Sequence, residues 1–350
     1  HICKRIPVVF STDGYEIELL IDPTMQPKES YRIDTEAHTC RVVASCSLGL
    51  YFGIGKLLHS AKWATDHFIP RAPDGVVTPA CEFRGMYFSV HFYNWYHMAS
   101  IEELEAYVED MLLWGYNTIL GIFPVVNIVQ WGDQIHTEAV GRLRQIYFAA
   151  QKYGMQVGML LPVNQAIQSA PEELSNDASF NLLMRGNHGR NICMSKPGAM
   201  EYMRGVWEHA LDTFDGIGLD YLVTWPYDEG GCGCPDCRPW GANKYLDSII
   251  ELRKVVQNRF PATKFVVSTW AFDDPVDEGE YEGLYRRLSG DMAWIDYLMI
   301  DSHGEFPRFA LENEVLKPII NFPEISMWGL IPWGGFGANP LPCRFQKIWD

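Results

Sequence analysis

Residues 221–237 read Tyr221-Leu-Val-Thr-Trp-Pro-Tyr-Asp-Glu-Gly-Gly-Cys-Gly-Cys-Pro-Asp-Cys237, an apolar run followed by two carboxylates and a loop of glycines and cysteines. An uninterrupted apolar run is typical of a strand that is buried on both faces of a parallel sheet. In β/α barrels the catalytic groups directly follow such strands, because the C-terminal ends of the strands open onto one face. The stretch therefore predicts a barrel strand with Asp228 and Glu229 at its functional end.

The same pattern repeats on both sides of this stretch, from about Cys81 onward. Apolar runs predict strands at 83–92, 118–123, 156–161, 219–225, 264–270, 297–301 and 318–327. Helical spacing of apolar residues predicts helices at 101–114, 138–153, 199–214 and 242–259, and Ser100 with Glu103 forms a capping box before the first of them. Alternating strands and helices indicate a parallel sheet, and the sequence has no glycine-rich phosphate motif after a strand, which favours a barrel over an open doubly wound sheet.

The expected fold is α/β: a (β/α)8 TIM-type barrel, C-terminally incomplete, with a small N-terminal α+β domain. Residues 1–78 are the expected accessory domain, since strand patterns at 15–21, 31–33 and 39–43 and a helix pattern at 47–59 precede a linker rich in Pro and Gly. Residues 79–350 are the expected barrel. Its sequence shows seven strand patterns and not eight, so we expect the eighth unit to be missing at the C-terminal end.

Composition narrows the class of partner. The chain of 350 residues carries 28 basic and 44 acidic side chains, and the formal net charge of −16 opposes binding to nucleic acid and to anionic membranes. The 12 Trp and 17 Tyr residues supply flat apolar rings with a polar edge, which suit the faces of sugars, although core packing accounts for many of them. We expect a carbohydrate partner, no nucleic acid and no membrane; the sequence leaves the oligomeric state open.

Polar and aromatic residues follow the predicted strands, and in a barrel these residues converge on one mouth. Loops are polar in any barrel, so the informative feature is the mixture of carboxylates, amides and tryptophans with few lysines or arginines. This mixture is typical of a sugar site and not of a phosphate site. The expected substrate-binding residues are Arg84, His91, Asn94, Asn164, Trp225, Tyr227, Trp270, Asp273, Asp301, His303, Glu324, Trp328 and Trp333.

Asp228 and Glu229 are the expected catalytic pair. Cleavage of a glycosidic bond requires a proton donor for the leaving oxygen and a group that stabilises an oxocarbenium-like centre, and two carboxyl groups commonly supply both. We assign Glu229 as the donor and Asp228 as the orienting carboxylate. Adjacent residues of a regular strand face opposite ways, so both enter the pocket only if the chain has left strand geometry, which Gly230-Gly231 permits. The alternative is that one of them is a solvent-exposed or loop-capping carboxylate.

A dense group of cysteines follows the carboxylates. Cys232, Cys234 and Cys237 form a C-x-C-x₂-C pattern that lacks one thiol for tetrahedral zinc, and Cys193, on the neighbouring loop, is the expected fourth ligand. Four thiolates leave no open coordination position, so such a zinc ion is structural. Free thiols and a local disulfide are the competing interpretations. No organic cofactor is expected.

Three segments carry a resemblance to a known family: Gly14-Tyr-Glu-Ile17, residues 45–58 and Phe83-Arg-Gly-Met-Tyr-Phe88. They resemble the small N-terminal domain and first barrel strand of glycoside hydrolase family 20, the β-N-acetylhexosaminidases, and the similarity extends loosely to Asp228-Glu229. The resemblance implies that Asp228 holds the 2-acetamido group of the substrate, which acts as an internal nucleophile. It also implies that Glu229 acts as the acid and base.

Some family motifs are replaced in this chain. Ser89-Val-His-Phe92 stands where the family has Asp-x-x-Arg, and Pro226-Tyr227 stands where it has Gly-Gly before the Asp-Glu pair. The Asp-x-Gly-Gly-Cys-x-Cys-x₂-Cys pattern is closer to that of a bacterial hydrolase-like family, some members of which are related to endo-β-N-acetylglucosaminidases.

The expected function is that of a glycoside hydrolase acting on β-linked N-acetylhexosamine-type or related glycans. An α-glucuronidase-like hydrolase is one alternative, because those enzymes also join a small α/β domain to a barrel. Its uronate would need basic ligands, for which Arg84, Arg185 and Arg190 are the candidates. A non-catalytic glycan-binding barrel is the other alternative.

Overall fold

The computed structural model describes residues 15–65, 67–90, 95–177, 190–227, 230–273, 277–301 and 317–322. The strands in these ranges are β1 (Glu16–Ile21), β2 (Tyr31–Thr35), β3 (Thr39–Ala44), β4 (Lys62–Trp63), β5 (Phe68–Ile69), β6 (Val76–Val77), β7 (Gly85–Phe88), β8 (Thr118–Ile122), β9 (Gln156–Pro162), β10 (Gln165–Ala166), β11 (Arg190–Asn191), β12 (Tyr221–Trp225), β13 (Lys264–Ser268), β14 (Tyr297–Asp301) and β15 (Ile319–Phe322). The α-helices are α1 (Ser47–Ser60), α2 (Trp95–Met98), α3 (Ile101–Leu113), α4 (Gln134–Lys152), α5 (Ala199–Asp212), α6 (Lys244–Arg259) and α7 (Glu280–Leu288).

A seven-stranded sheet is the central feature of the fold. Its strands are hydrogen-bonded in the order β15-β14-β13-β12-β9-β8-β7, so they lie side by side in the order in which they occur in the chain, with β10 and β11 in a separate sheet. Strand β12 pairs in parallel with β9 and β13, and β14 pairs in parallel with β13 and β15. Helices α3 to α7 alternate with these strands. This order fits the predicted α/β barrel, whereas the incomplete eighth unit stays a prediction.

The interior strands of this sheet are buried, whereas most residues of the edge strands β7 and β15 are half-buried. Every residue of β8 and of β12 is buried. Strands covered on both faces are apolar along most of their length, because neither row of alternating side chains reaches water. The apolar runs in the sequence therefore identified the strands, and the observed bounds fall inside the predicted ones or differ from them by a residue.

A smaller sheet is formed by the N-terminal residues, in the order β1-β3-β2-β6. Strand β3 pairs in parallel with β1 and antiparallel with β2, and helix α1 packs on β2 and β3. Leu48, Phe52 and Leu57 form part of the buried side of α1. The short strands and the helix agree with the α+β pattern of the sequence.

The chain divides into two compact units. The first contains the described residues of 15–88, 95–120 and 142–157, and the second those of 89–90, 121–141 and 158–322. In the first unit, α1 packs against α3. The predicted domain boundary near residue 78 stays a prediction.

Helix α3 begins at the predicted capping box. The Ser100 side chain accepts the Glu103 N–H at 3.2 Å, and the Glu103 carboxylate accepts the Ser100 N–H at 2.8 Å. Leu104, Val108 and Leu112 lie one turn apart and form the buried stripe of the helix. No helix in the described ranges is both long enough and apolar enough to cross a membrane.

Candidate active site and thiol cluster

An aromatic cluster of Trp225, Trp270 and Phe322 lies at the C-terminal ends of three strands. Trp225 ends β12, Trp270 follows β13 and Phe322 ends β15. The two indole rings stack with centroids 4.9 Å apart, and the Phe322 ring stands edge-on to them at 5.6 and 6.2 Å. Trp225 is only 6% exposed, so Trp270, which is half-buried like Phe322, is the more accessible of the two indoles. The structure thus brings together two predicted residues and adds Phe322, which sequence reasoning did not select.

Tyr227 is fully buried directly after β12. Its hydroxyl group donates to the Glu280 carboxylate and also contacts the Asp277 carboxylate at 3.4 Å. Backbone N–H groups of Gly241 and Asp273 donate to the same Glu280 carboxylate, at 2.6 and 3.0 Å. Burial raises the pKa of Glu280 to about 7, against the opposing effect of these hydrogen bonds. Tyr227 therefore anchors the end of β12 to the start of α7.

Asp273 is exposed and also contacts the start of α7. Its backbone is in the left-handed region, with φ 54°, and its carboxylate accepts the Glu280 and Tyr281 N–H groups at 2.8 and 3.4 Å. A carboxylate at these free N–H groups stabilises the first turn of a helix. The predicted substrate contact of Asp273 stays a prediction, because its observed partners belong to α7.

Sequence reasoning missed the two buried carboxylates of this region. Asp277 forms an ion pair with Arg238 at 2.5 Å and accepts the Trp240 N–H at 3.2 Å. Asp277 and Glu280 lie in Asp-Glu-Gly-Glu, which looks like a solvent-exposed acidic turn. The available signal was the helical spacing of buried apolar residues that follows it, which marks α7.

Asn164 is fully buried after β9 and holds the glycine pair that follows the carboxylates. Its side-chain amide donates to the carbonyl oxygens of Ile192 and Gly231, at 2.9 and 3.0 Å, and accepts the Gly231 N–H at 2.9 Å. Gly231 has φ 103°, and a Cβ at Gly230 would lie 2.9 Å from the Asn164 side-chain oxygen. Both positions therefore favour glycine. Asn164 positions this loop, and its predicted contact with substrate stays a prediction.

Arg84 precedes β7 and so lies at the N-terminal end of that strand. Its guanidinium group donates to the carbonyl oxygens of Gly115 and Cys81, at 2.7 and 2.6 Å, and pairs with Glu29 at 2.7 Å. Barrel sites lie at the C-terminal ends of strands. The observed partners of Arg84 thus lie around the start of β7, and its predicted role in substrate binding stays a prediction.

Other predicted residues lie outside the described ones, and their roles stay predictions. Asp301 ends β14, but its side chain is not described. Tyr227 and Gly230, on either side of the expected catalytic pair, are both described. The predicted residues outside the described ranges are His91, Asn94, Asp228, Glu229, His303, Glu324, Trp328 and Trp333.

The four predicted zinc ligands form a thiol cluster: the sulfur atoms of Cys193, Cys232, Cys234 and Cys237 all lie within 4.8 Å of one another. The Cys193 sulfur is 3.6 Å from that of Cys234 and 3.8 Å from that of Cys237. Cys234 is half-buried and the other three are buried. Burial raises the pKa of the Cys193 thiol to about 11, and hydrogen bonding to Cys237 together with burial raises that of Cys232. The sequence pattern thus correctly indicated which sulfurs are neighbours.

Comparison with known proteins shows what fold this is. No protein-family model and no curated protein matches the chain. A family 20 β-N-acetylglucosaminidase matches at a TM-score of 0.59 and 14% identity, over 96% of this chain and 73% of that one. The family 20 β-N-acetylhexosaminidase from Streptomyces coelicolor A3(2) matches at 0.57 and 13%, over 93% and 67%.

A solved structure from another glycoside hydrolase family shares the fold. A family 138 enzyme targeting pectin rhamnogalacturonan II matches at a TM-score of 0.52 and 15% identity, over 87% of this chain and 36% of that one. Sequence identities of this size establish the likeness of fold and nothing finer. The chain is therefore similar in fold to glycoside hydrolases of more than one family.

Proposed function

We propose that this protein is a glycoside hydrolase that cleaves β-linked N-acetylhexosamine-type or related glycans, with Asp228 and Glu229 as its catalytic carboxylates. The aromatic cluster at the C-terminal ends of β12, β13 and β15 is the observation that carries the proposal. The flat, partly accessible indole of Trp270, at the C-terminal ends of the strands, suits the apolar face of a pyranose ring. In the sequence, Asp228 and Glu229 follow Trp225 by only three and four residues.

The anchored chain on either side of the pair supports this assignment. Tyr227 is held by Glu280, and Gly231 is held by Asn164, so the chain is fixed both before and after the two carboxylates. Catalytic groups need such support, because a misplacement of about 1 Å is enough to lower the rate greatly. The buried residues Glu280 and Asn164 thus help to position the catalytic pair, because they hold the chain on either side of it.

The proposed reaction is substrate-assisted hydrolysis. Asp228 orients the 2-acetamido group, whose carbonyl oxygen attacks the anomeric carbon while Glu229 gives a proton to the leaving glycosidic oxygen. A water molecule then attacks the anomeric carbon and opens the cyclic intermediate, and Glu229 takes up a proton from that water. The two carboxyl groups thereby supply general acid–base catalysis and stabilisation of positive charge.

The alternatives receive less support. An α-glucuronidase-like enzyme needs basic residues near the mouth, yet Arg84 lies at the other end of its strand and is paired with Glu29. Arg190 donates to the Gln168 carbonyl at 3.4 Å and to the Ser175 hydroxyl at 3.3 Å. A non-catalytic glycan-binding barrel would keep the aromatic cluster but lack turnover.

The test is an assay of the full-length protein on an aryl N-acetyl-β-glucosaminide, an aryl glucuronide and an intact N-glycan. Glu229→Gln should slow substrates with poor leaving groups by about 10²–10⁴-fold and spare activated aryl glycosides at the first step. Asp228→Asn should slow both kinds of substrate, because the internal nucleophile is then misplaced. An aryl β-glucoside, which lacks the acetamido group, should not be cleaved.

Glu201→Gln is the matched control, since Glu201 is an exposed residue of α5. This variant should keep the activity of the unsubstituted protein. Full turnover in both Asp228→Asn and Glu229→Gln would remove the pair from the mechanism. Cleavage of the glucuronide alone would favour the α-glucuronidase alternative, and sugar binding without turnover would favour the binding barrel.

A further inference from the structure

The thiol cluster has a geometry that suits one metal ion. In a tetrahedral site with zinc–sulfur bonds of about 2.3 Å, neighbouring sulfurs lie about 3.8 Å apart. The observed separations of 3.6 Å between Cys193 and Cys234 and of 3.8 Å between Cys193 and Cys237 match this edge length. A disulfide requires sulfurs about 2.05 Å apart, so these pairs are placed as co-ligands and not as bonded partners.

The surroundings of the sulfurs suit thiolate ligands. The Asp177 N–H donates to the Cys232 sulfur at 3.4 Å, and the Ser195 hydroxyl lies 3.2 Å from the Cys237 sulfur. A divalent ion with four thiolates carries a net charge of about −2, and donors of this kind around the sulfurs offset that charge and orient the ligands.

The backbone holds the two ligand loops in place independently of the sulfurs. The Cys193 N–H donates to the Leu174 carbonyl at 2.8 Å, and the Gly233 N–H donates to the Asp177 carbonyl at 2.9 Å. The Cys237 N–H donates to the Cys234 carbonyl at 3.0 Å, which closes the turn between these two ligands. The four sulfurs therefore converge because of backbone contacts that are already made, and the site is preorganised.

We propose that Cys193, Cys232, Cys234 and Cys237 bind one structural zinc ion. Four thiolates select a soft or borderline metal, and a tetrahedral four-sulfur site is typical of zinc. All four positions are taken by protein, so no position is left for a water molecule or a substrate. This zinc ion joins the loop after β11 to the loop after β12 and thereby holds the chain that continues from Asp228-Glu229.

The first experiment measures the metal content of the full-length protein purified without chelator. We expect about one zinc ion per chain, and at least a tenfold loss, roughly, in each Cys→Ser variant of the four ligands. Cys81→Ser is the matched control, because Cys81 is exposed and not one of the four ligands, and it should keep its zinc. Chelation should lower the melting temperature of the unsubstituted protein and of Cys81→Ser, but not that of a folded Cys193→Ser variant.

A second measurement needs no variant and so does not depend on whether the substituted chains fold. X-ray absorption of the zinc-loaded protein should show four sulfur neighbours at about 2.3 Å, and cobalt-loaded protein should show the visible absorption of a tetrahedral thiolate site. Protein from zinc-supplemented growth that holds no metal, or nitrogen and oxygen neighbours around the metal, would overturn the proposal. A disulfide among the four cysteines, detected as a mass lower by two hydrogens, would overturn it too. None of these measurements uses the hydrolase activity, so their outcome is independent of the proposed function.

Discussion

Glu280 illustrates how one residue can make stability depend on pH. Its carboxylate is fully buried and accepts hydrogen bonds from Tyr227, Gly241 and Asp273. Burial raises its pKa from 4.5 to about 7, so between these two values the folded chain binds a proton that the unfolded chain has released. The contribution of Glu280 to the stability of the folded state is therefore fully present below about pH 4.5, where both states carry the proton. It is lost as the pH rises through about 7.

We predict that Glu280→Gln removes this part of the pH dependence. The free energy of unfolding of the unsubstituted protein should fall from pH 5 to pH 8, with a contribution from Glu280 of at most about 1.4 kcal/mol per pH unit. Urea denaturation at several pH values measures the slope. Glu278→Gln is the control, because Glu278 is exposed, and it should keep the slope. Equal slopes in Glu280→Gln and the unsubstituted protein would contradict the prediction.

At the scale of the elements, α3 depends on the hydrogen bonds at its N-terminus. The first N–H groups of a helix have no partner within the helix, and the Ser100 hydroxyl and Glu103 carboxylate satisfy two such groups reciprocally. The buried stripe of Leu104, Val108 and Leu112 then fixes the side of the helix that faces the core.

We predict that Ser100→Ala lowers the free energy of unfolding by about 1 kcal/mol, the usual loss when an N-cap acceptor is removed. Urea denaturation followed by circular dichroism measures this change. Ser100→Asp, which keeps an acceptor at the same position, is the matched control and should remain close to the unsubstituted protein. A stability of Ser100→Ala equal to that of Ser100→Asp would show that the cap contributes nothing.

At the scale of the whole molecule, an ion pair joins residues that are far apart in the chain. Glu29, between β1 and β2, pairs with Arg84 at 2.7 Å, and its carboxylate also accepts the Asn117 side-chain amide at 3.3 Å. The Arg84 and Glu29 side chains are only 18% and 13% exposed. Loss of one partner leaves a largely desolvated charge without its counter-charge. This pair therefore ties the smaller sheet to the segments that begin β7 and β8.

We predict that Glu29→Gln destabilises the full-length protein by about 1–3 kcal/mol, less than for a fully buried pair because water still screens the charges. Chemical denaturation of the full chain measures this loss. Glu36→Gln provides the comparison, since Glu36 is exposed, and its effect should be within about 0.5 kcal/mol of zero. The ion pair would be shown to be unimportant if the two variants were equally stable.

The order and type of the main elements could be predicted from the sequence. Apolar runs placed the strands of the seven-stranded sheet, and the capping box placed the start of α3, because burial on two faces and helix capping are both local in the chain. Helix α7 was missed, since the acidic turn before it looks like a solvent-exposed loop. The C-x-C-x₂-C spacing predicted three neighbouring thiols, and the order of the strands predicted that Cys193 would lie beside them.

Only the tertiary structure decided what the polar residues of the predicted mouth contact. The sequence showed that Asn164 and Tyr227 follow strands, whereas the structure turns their side chains inward to Gly231 and to Glu280. The direction of a side chain at a strand end depends on how the backbone leaves the sheet, and its partner comes from a distant segment. Hydrophobic periodicity contains neither kind of information, because it records how deeply a residue is buried and not which residue it meets.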